Sequence, residues 1–292
     1  MSVNRNFALA IALCFVLTSV AVSASKKSRK ANSKEIVNAQ IKVGYNYFDK
    51  HPKVDGTTTE RTIPMVLLVG GGESKFFSPR CEWLDSLTST AEGRALEKQL
   101  FDAAVLEYAK TKNRDVMSKM ASPTQMYVFK NHADSMTTIY DVVGLGEFGM
   151  CTEPFSELNW EIGDSIKTVL GYECIMATTD YHGRHWTAWF TPEIPVSDGP
   201  WKFIGLPGLI LEASESTGQH WFVADGIEQI SQPIYPIYNP EKYNRMKRLD
   251  MLRGLRYYRD NSKSIAKASI GLDLGTDTKS ETVYDFLETD YR

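Results

Sequence analysis

The sequence predicts a β-rich α+β protein, a curved antiparallel sheet flanked by helices. Three observations carry that expectation. From Pro123 to Ile227 the chain alternates apolar and polar residues, or is rich in β-branched and aromatic ones. Gly, Pro, Asn or Asp separates most of these runs, the pattern of hairpin-linked strands rather than βαβ units. Two tracts, near 91–120 and 241–260, repeat apolar residues at helical spacing instead. Composition is that of an ordinary globular chain, 42% hydrophobic and 24% charged over 292 residues.

In chain order, Arg5 precedes an apolar run from Phe7 to Val22, after which Val22-Ser23-Ala24 offers small residues to a signal peptidase. A cleaved leader over 1–24 is expected, because the run is short of the ~20 apolar residues of a membrane span. Cys14 lies mid-run, away from the setting of a lipidated cysteine. Residues 25–34 (SKKSRKANSK) are basic and polar and read as disordered. Residues 35–270 read as one β-rich domain, and 271–292 as a polar tail with a small apolar patch at Tyr284–Leu287. No later run is apolar for long enough to cross a bilayer, so no transmembrane span is expected in the mature chain.

Within the domain, Ile36–Phe48 and Ile63–Val69 read as strands, the second ended by Gly70-Gly71-Gly72. Leu96, Leu100, Ala103, Ala104 and Tyr108 recur at helix spacing behind a Thr90 N-cap. Ile194–Pro207 is dense in turn-forming pairs and reads as a shaped loop. Met246, Leu249, Leu252 and Leu255, spaced three apart, mark the second helix and are read as core contacts.

A net charge of −3 and a pI near 6.0 leave no broad basic face, which excludes nucleic acid as the main partner. Export would permit disulfides, and removal of the leader leaves Cys81, Cys151 and Cys174. One pair and one free thiol is the natural reading, Cys151 with Cys174 being favoured and Cys81 with Cys151 the alternative. No CxxC, P-loop, GxSxG or HExxH spacing occurs. No catalytic residue is therefore assigned. His182 with His185, joined by His220, is the best metal candidate. Residues three apart on a strand face opposite ways, so the first pair would need a turn at Gly183-Arg184. No metal or cofactor is assigned on that basis.

Gly205-Leu206-Pro207-Gly208-Leu209-Ile210 spells a hexapeptide, preceded by Gly171-Tyr172-Glu173-Cys174, Gly183-Arg184, Trp186, Ala188-Trp189-Phe190-Thr191, Glu193-Ile194-Pro195 and Gly199-Pro200-Trp201-Lys202-Phe203. These words, with Ser74–Ser78 upstream and Tyr284–Glu288, Asp290 and Tyr291 near the end, resemble the GLPGLI family over most of the mature chain. The resemblance implies an exported Bacteroidetes envelope protein, periplasmic or outer-envelope, with no catalytic residues to carry over.

The hexapeptide also has a physical reading. Pro207 fixes φ and Gly208 can take positive φ, which suits a type II turn, while Gly205 permits close backbone approach. Leu209-Ile210 then opens a buried strand. The same loop can instead rim a ligand groove walled by Trp189, Trp201 and Phe203, with Arg184 stacked on a neighbouring Trp or paired with a carboxylate. By fold-level analogy with the half-barrel periplasmic carriers of lipoproteins, the concave face would hold an apolar ligand. The expected function is a non-catalytic envelope binding or assembly factor, with an apolar ligand or an envelope protein as partner. A hydrolase with an unrecognised site and a structural scaffold are the alternatives.

Overall fold

The computed structural model of the protein describes residues 36–52, 56–113, 115–118, 122–270 and 285–292. The expected leader (1–24), the basic segment (25–34) and the first part of the tail (271–284) lie outside the described residues.

Twelve strands among the described residues form one open sheet: β1 (Asn38–Pro52), β2 (Thr58–Gly70), β3 (Glu73–Phe77), β4 (Tyr127–Asn131), β5 (Met136–Gly144), β6 (Glu147–Pro154), β7 (Glu161–Val169), β8 (Tyr172–Tyr181), β9 (Arg184–Thr191), β10 (Leu209–Glu215), β11 (His220–Pro233) and β12 (Tyr243–Arg245). Their order is β12-β6-β5-β4-β3-β2-β1-β11-β10-β9-β8-β7. Neighbours are antiparallel except β12 and β6. Helices α1 (Pro79–Thr88), α2 (Ala91–Thr111), α3 (Asp115–Ser118), α4 (Arg248–Asp260) and α5 (Ser262–Ile270) flank it. The β-rich α+β expectation is met.

The chain enters at mid-sheet. β1 gives one edge to β2 and the other to β11. One arm runs outward through β2 to β6. A 3-10 turn at Phe155–Glu157 then carries the chain to the far edge, and β7 to β11 return along the second arm. Trp160 anchors the crossing by donating from Nε1 to the Ile204 carbonyl at 2.8 Å.

Strand alternation sends Val43, Tyr45 and Tyr47 of β1 and Ile63, Met65 and Leu67 of β2 to one face, with Phe76, Trp186, Phe190 and Phe222. The 192–208 loop between β9 and β10 lies on this inner face and fills it. Trp201, Phe203 and Leu206 are buried there, with ring centroids 4.8 Å apart for Trp186 and Phe203 and 5.1 Å for Trp201 and Phe203. Each such side chain contributes roughly 1.5–3 kcal/mol through burial. Lys130 of β4 crosses to the loop from the first arm. Its Nζ donates to Asp198 Oδ1 at 2.5 Å, Gly199 O at 2.7 Å and Phe203 O at 3.0 Å, so all three ammonium donors are used.

The opposite face carries a smaller core of Leu68, Phe77 and Tyr127, covered by Cys81 of α1 and by Ile234 and Ile237. Pro79 stands in the first turn of α1, where its missing N–H costs nothing. Lys75 is buried on this side, paired with Glu82 and seated over the Phe77 ring at 4.7 Å.

Several expectations are corrected in detail. The first helix ends at Thr111, with Lys112 in the left-handed region as its C-cap, and only Ala104 of its apolar stripe is buried. Leu96, Leu100 and Leu106 are exposed. The second helix starts at Arg248 rather than near 241, because Tyr243–Arg245 is taken up as an edge strand on β6. The closing residues 285–292 are no loose tail: Phe286, Glu288 and Tyr291 are buried, Phe286 and Tyr291 against Leu252 of α4.

The expected Cys151–Cys174 bond is not formed, nor is Cys81–Cys151; all three thiols are free and buried. Cys151 lies on β6 and Cys174 on β8, strands of opposite arms, so hairpin neighbourhood in sequence does not make them neighbours in space. Burial pushes the Cys81 thiol up to about 12 and the Cys151 thiol to about 11, and raises Cys174. The reactive thiolate is thus suppressed at each. A thiol-specific chromogenic reagent should leave all three unmodified in the native chain and titrate them on denaturation. Fast reaction of Cys151 or Cys174 in the folded protein would contradict this burial.

Candidate functional site

A cleft of about 500 Å³ opens on the inner face where the first arm meets α4 and the closing segment. Ile63, Met126, Ile139, Met251, Leu252 and Leu255 give it apolar walls, and Trp201 and Lys202 bring the inserted loop to its edge. Charged groups stand among them: Asp49, Arg61, Asp141, Arg248, Arg259 and Glu288. Asp141 of β5 is half-buried, and burial pushes its carboxyl up to about 7 despite the 2.7 Å bond it accepts from the Val142 N–H.

Two polar clusters border the cleft. In the first, strand register sets Asp49 of β1 directly opposite Arg61 on one side and His220 on the other. Arg61 donates to Asp49, and His51 Nε2 lies 2.9 Å from the same carboxylate. His220 Nδ1 is 2.9 Å from the Tyr47 hydroxyl, and its Nε2 is 2.9 Å from the Asp285 carbonyl. Burial, then the Arg184 charge, hold His220 down at about 3, so it stays neutral through the physiological range.

The second cluster joins four separate parts of the chain. Glu153 ends β6, Lys202 comes from the inserted loop, Arg248 opens α4, and Glu288 and Asp290 belong to the closing segment. Lys202 Nζ lies 2.7 Å from Glu153 and 2.6 Å from Glu288. Arg248 grips Glu288 at 2.5 Å and Asp290 at 2.6 Å. Burial alone would raise the Glu153 carboxyl, but Lys202 and His182 outweigh it and hold it low. Lys202 is raised because Glu288 and Glu153 overcome its desolvation.

His182 reaches this cluster from the tip of the β8–β9 hairpin. Tyr181 pairs with Arg184, and His182 (φ 51°) and Gly183 (φ 81°) form the two-residue turn between them, both left-handed as a type I′ turn requires. A Cβ at Gly183 would come within 2.4 Å of Thr289 Oγ1, so the closing segment is fitted to the bare turn.

The sequence-derived residues are distributed as follows. Arg184 is buried and takes the carboxylate pairing rather than the stack: it pairs with Glu215 at 2.8 Å and donates to the Phe286 carbonyl at 2.6 Å. Trp201 and Phe203 pack in the core, and only Trp201 touches the cleft. Trp189 lies on the other face, under Lys167 at 4.4 Å, because Trp186, Ala188 and Phe190 alternate inward around it. The three aromatics thus share no wall. His182, His185 and His220 do not converge: His185 is exposed beside Asp180, and both ring nitrogens of His220 are engaged elsewhere.

In the hexapeptide the two glycines exchange their expected roles. Gly205 takes the positive φ, 99°, whereas Gly208 is the close approach: a Cβ there would meet the Thr191 carbonyl oxygen at 2.1 Å. Leu206, Leu209 and Ile210 are buried, Pro207 is exposed between them, and the Ile210 N–H donates to the Asp198 carbonyl at 2.9 Å.

A family profile described as a protein of unknown function, Porph_ging, matches residues 181–212, a stretch running from the His182 turn through the inserted loop and hexapeptide. No curated protein matches the chain. Two solved structures of PNGF-II, in space groups P21 and C2, are similar to it at a TM-score of 0.46. Their identities are 11% and 12%, over 76% of this chain and 34% and 33% of theirs. The chain spans about a third of the length of those structures.

Two outcomes are expected here. Gly208→Ala forces a backbone contact apart and should cost about 1–3 kcal/mol in a urea titration. An unchanged midpoint would mean that β9 yields freely at Thr191. His220 binds its proton less readily folded than unfolded, so its contribution is complete above its ordinary 6.5 and is lost as pH falls towards about 3. Urea midpoints should therefore decline in that window. His220→Gln should flatten the decline; an undiminished slope would move its origin to another group.

Proposed function

We propose that the protein is a non-catalytic binding protein of the cell envelope and that the inner-face cleft holds an amphipathic ligand with an apolar body. The observation that carries this is the cleft itself. Its volume of about 500 Å³ falls within the range of small-molecule sites, roughly 300–1,000 Å³. Met126 and Met251 supply adaptable walls suited to a flexible acyl or aromatic body. Arg61 and Arg248 offer charge at the margin, already balanced by Asp49 and by Glu288 and Asp290.

The location differs from the sequence expectation. Behind the 195–208 loop Trp201, Phe203 and Leu206 are buried, and the cleft lies where Trp201 and Lys202 of that loop face α4. Export is part of the proposal. It rests on the leader-like residues 1–24; the three free thiols are buried, which is compatible with an oxidising compartment but does not argue for one. Among the described residues no helix is long and apolar enough to cross a membrane.

A hydrolytic reading has one observation in its favour, the Asp141 carboxyl poised near neutrality inside the cleft. Such a group can exchange a proton at physiological pH.

The test uses native mass spectrometry of the chain purified from its own envelope, followed by solvent extraction, beside a Leu255→Trp variant that narrows the cleft. A co-purifying amphiphile, lost in the variant, is the expected result. A bare mass for the unmodified chain under gentle conditions would overturn the carrier reading. Turnover of an ester panel that Asp141→Asn abolishes would establish the hydrolytic one.

A further inference from the structure

We infer that His182, Glu153 and Glu157 form a site for one divalent transition-metal cation. The residues converge from two places that the topology separates by most of the sheet, the β8–β9 turn and the end of β6. Nε2 of His182 lies 3.4 Å from Glu153 Oε2 and 3.8 Å from Glu157 Oε2. Around a cation with bonds of about 2.0–2.2 Å, tetrahedral ligand atoms stand ~3.4 Å apart. The three donors thus already sit near the spacing that a bound ion imposes, without touching one another as hydrogen-bond partners.

The independent observation lies in the atoms themselves. His182 is only 8% exposed, yet its Nε2 has no hydrogen-bond partner, and neither does Glu153 Oε2. The two atoms face each other at ion-pair distance, 3.4 Å, but neither completes a hydrogen bond, and buried polar atoms in that state are costly unless something bridges them. The other oxygen of Glu153 is occupied, by Lys202 at 2.7 Å and the Tyr181 hydroxyl at 3.2 Å, which fixes the carboxylate with Oε2 towards His182 at 3.4 Å and Arg248 Nε at 3.7 Å.

Second-layer geometry agrees. His182 Nδ1 lies 3.4 Å from Asp290 Oδ2, and Asp290 is itself held by Arg248. A metal-binding histidine characteristically turns its other ring N–H to a carboxylate, which fixes the tautomer and leaves Nε2 its lone pair. Asp290 occupies that position. Glu288, 3.8 Å from Nε2, is a poorer ligand, since Lys202 and Arg248 already use both of its oxygens. Glu157 is half-exposed on the outer side, so water can complete the coordination there. An imidazole with two carboxylates suits Zn²⁺ or Mn²⁺ better than the all-oxygen cations. Bound there, the ion would tie the hairpin tip to β6 and, through Asp290, to the closing segment.

The full chain, stripped with a chelator and dialysed, would be titrated with Zn²⁺ and separately with Mn²⁺ by calorimetry, with thermal unfolding in parallel. One equivalent should bind and raise the unfolding temperature. His182→Asn keeps a residue that tolerates the left-handed turn, and Glu157→Gln alters a half-exposed side chain. Both should fold and bind at least about tenfold more weakly, while His185→Ala should bind as the unaltered chain does. No uptake of either ion by the unaltered chain, or unweakened binding by both variants, would overturn the site and leave ion pairs alone holding the cluster.

Discussion

The pairing of Lys130 with Asp198 fastens the inserted loop to the first arm of the sheet. Both side chains are fully buried, and burial draws the lysine down and would push the aspartate up. The aspartate is held low by Lys130 and His132. Two further carbonyls complete the ammonium's bonds, so the pair is satisfied rather than merely close. Removing one partner of such a pair typically costs about 3–5 kcal/mol, because the other charge is stranded. Since those carbonyls belong to Gly199 and Phe203, the same ammonium fixes the path of the loop on both sides of Trp201. The aromatic plug, the position of Lys202 and the edge of the cleft all follow from it.

A second layer of fastening comes from the closing segment. Arg184 and His220 hold its carbonyls, Lys202 and Arg248 hold its carboxylates, and the His182 and Gly183 carbonyls accept from Thr289. These contacts reach the second arm of the sheet, the inserted loop and α4 at once. Eight residues thereby make a clasp from groups that a linear reading would assign to an ordinary polar terminus. The cleft is bounded on one side by this clasp, so its shape depends on residues far from its floor in sequence.

Local chemistry was legible in the sequence where pattern and place coincide. Alternation in Ile36–Phe48 and Ile63–Val69 identifies β1 and β2, and the turn-rich 194–207 stretch is indeed a shaped loop. What could not be read was which strands meet. Cys151 and Cys174 stand close in sequence, but β6 and β8 belong to opposite arms, and no local signal marks the crossing between them. The sequence groups Trp189 with Trp201, whereas the phase of β9 is set by Trp186, Ala188 and Phe190 packing inward. Glu153, Lys202, Arg248, Glu288 and Asp290 each look like solvated charges. The weak clues were Lys202 lodged between two aromatics and Glu288 and Asp290 interleaved with Phe286 and Tyr291. In the hexapeptide, the need for two glycines was visible, but which one bends and which one makes room was decided by the neighbouring Thr191 carbonyl.

The central position of β1 governs the order in which the chain can become a protein. Its residues leave the ribosome early and find β2 at once, yet the other edge must wait for residues 220–233. Through that interval a long strand with Tyr45 and Tyr47 facing the future core stays half unpartnered, a template for any passing strand. Contacts so distant along the chain also slow folding. A nascent chain of this topology therefore benefits from being kept extended until residues 220–233 are available to close the second edge of β1.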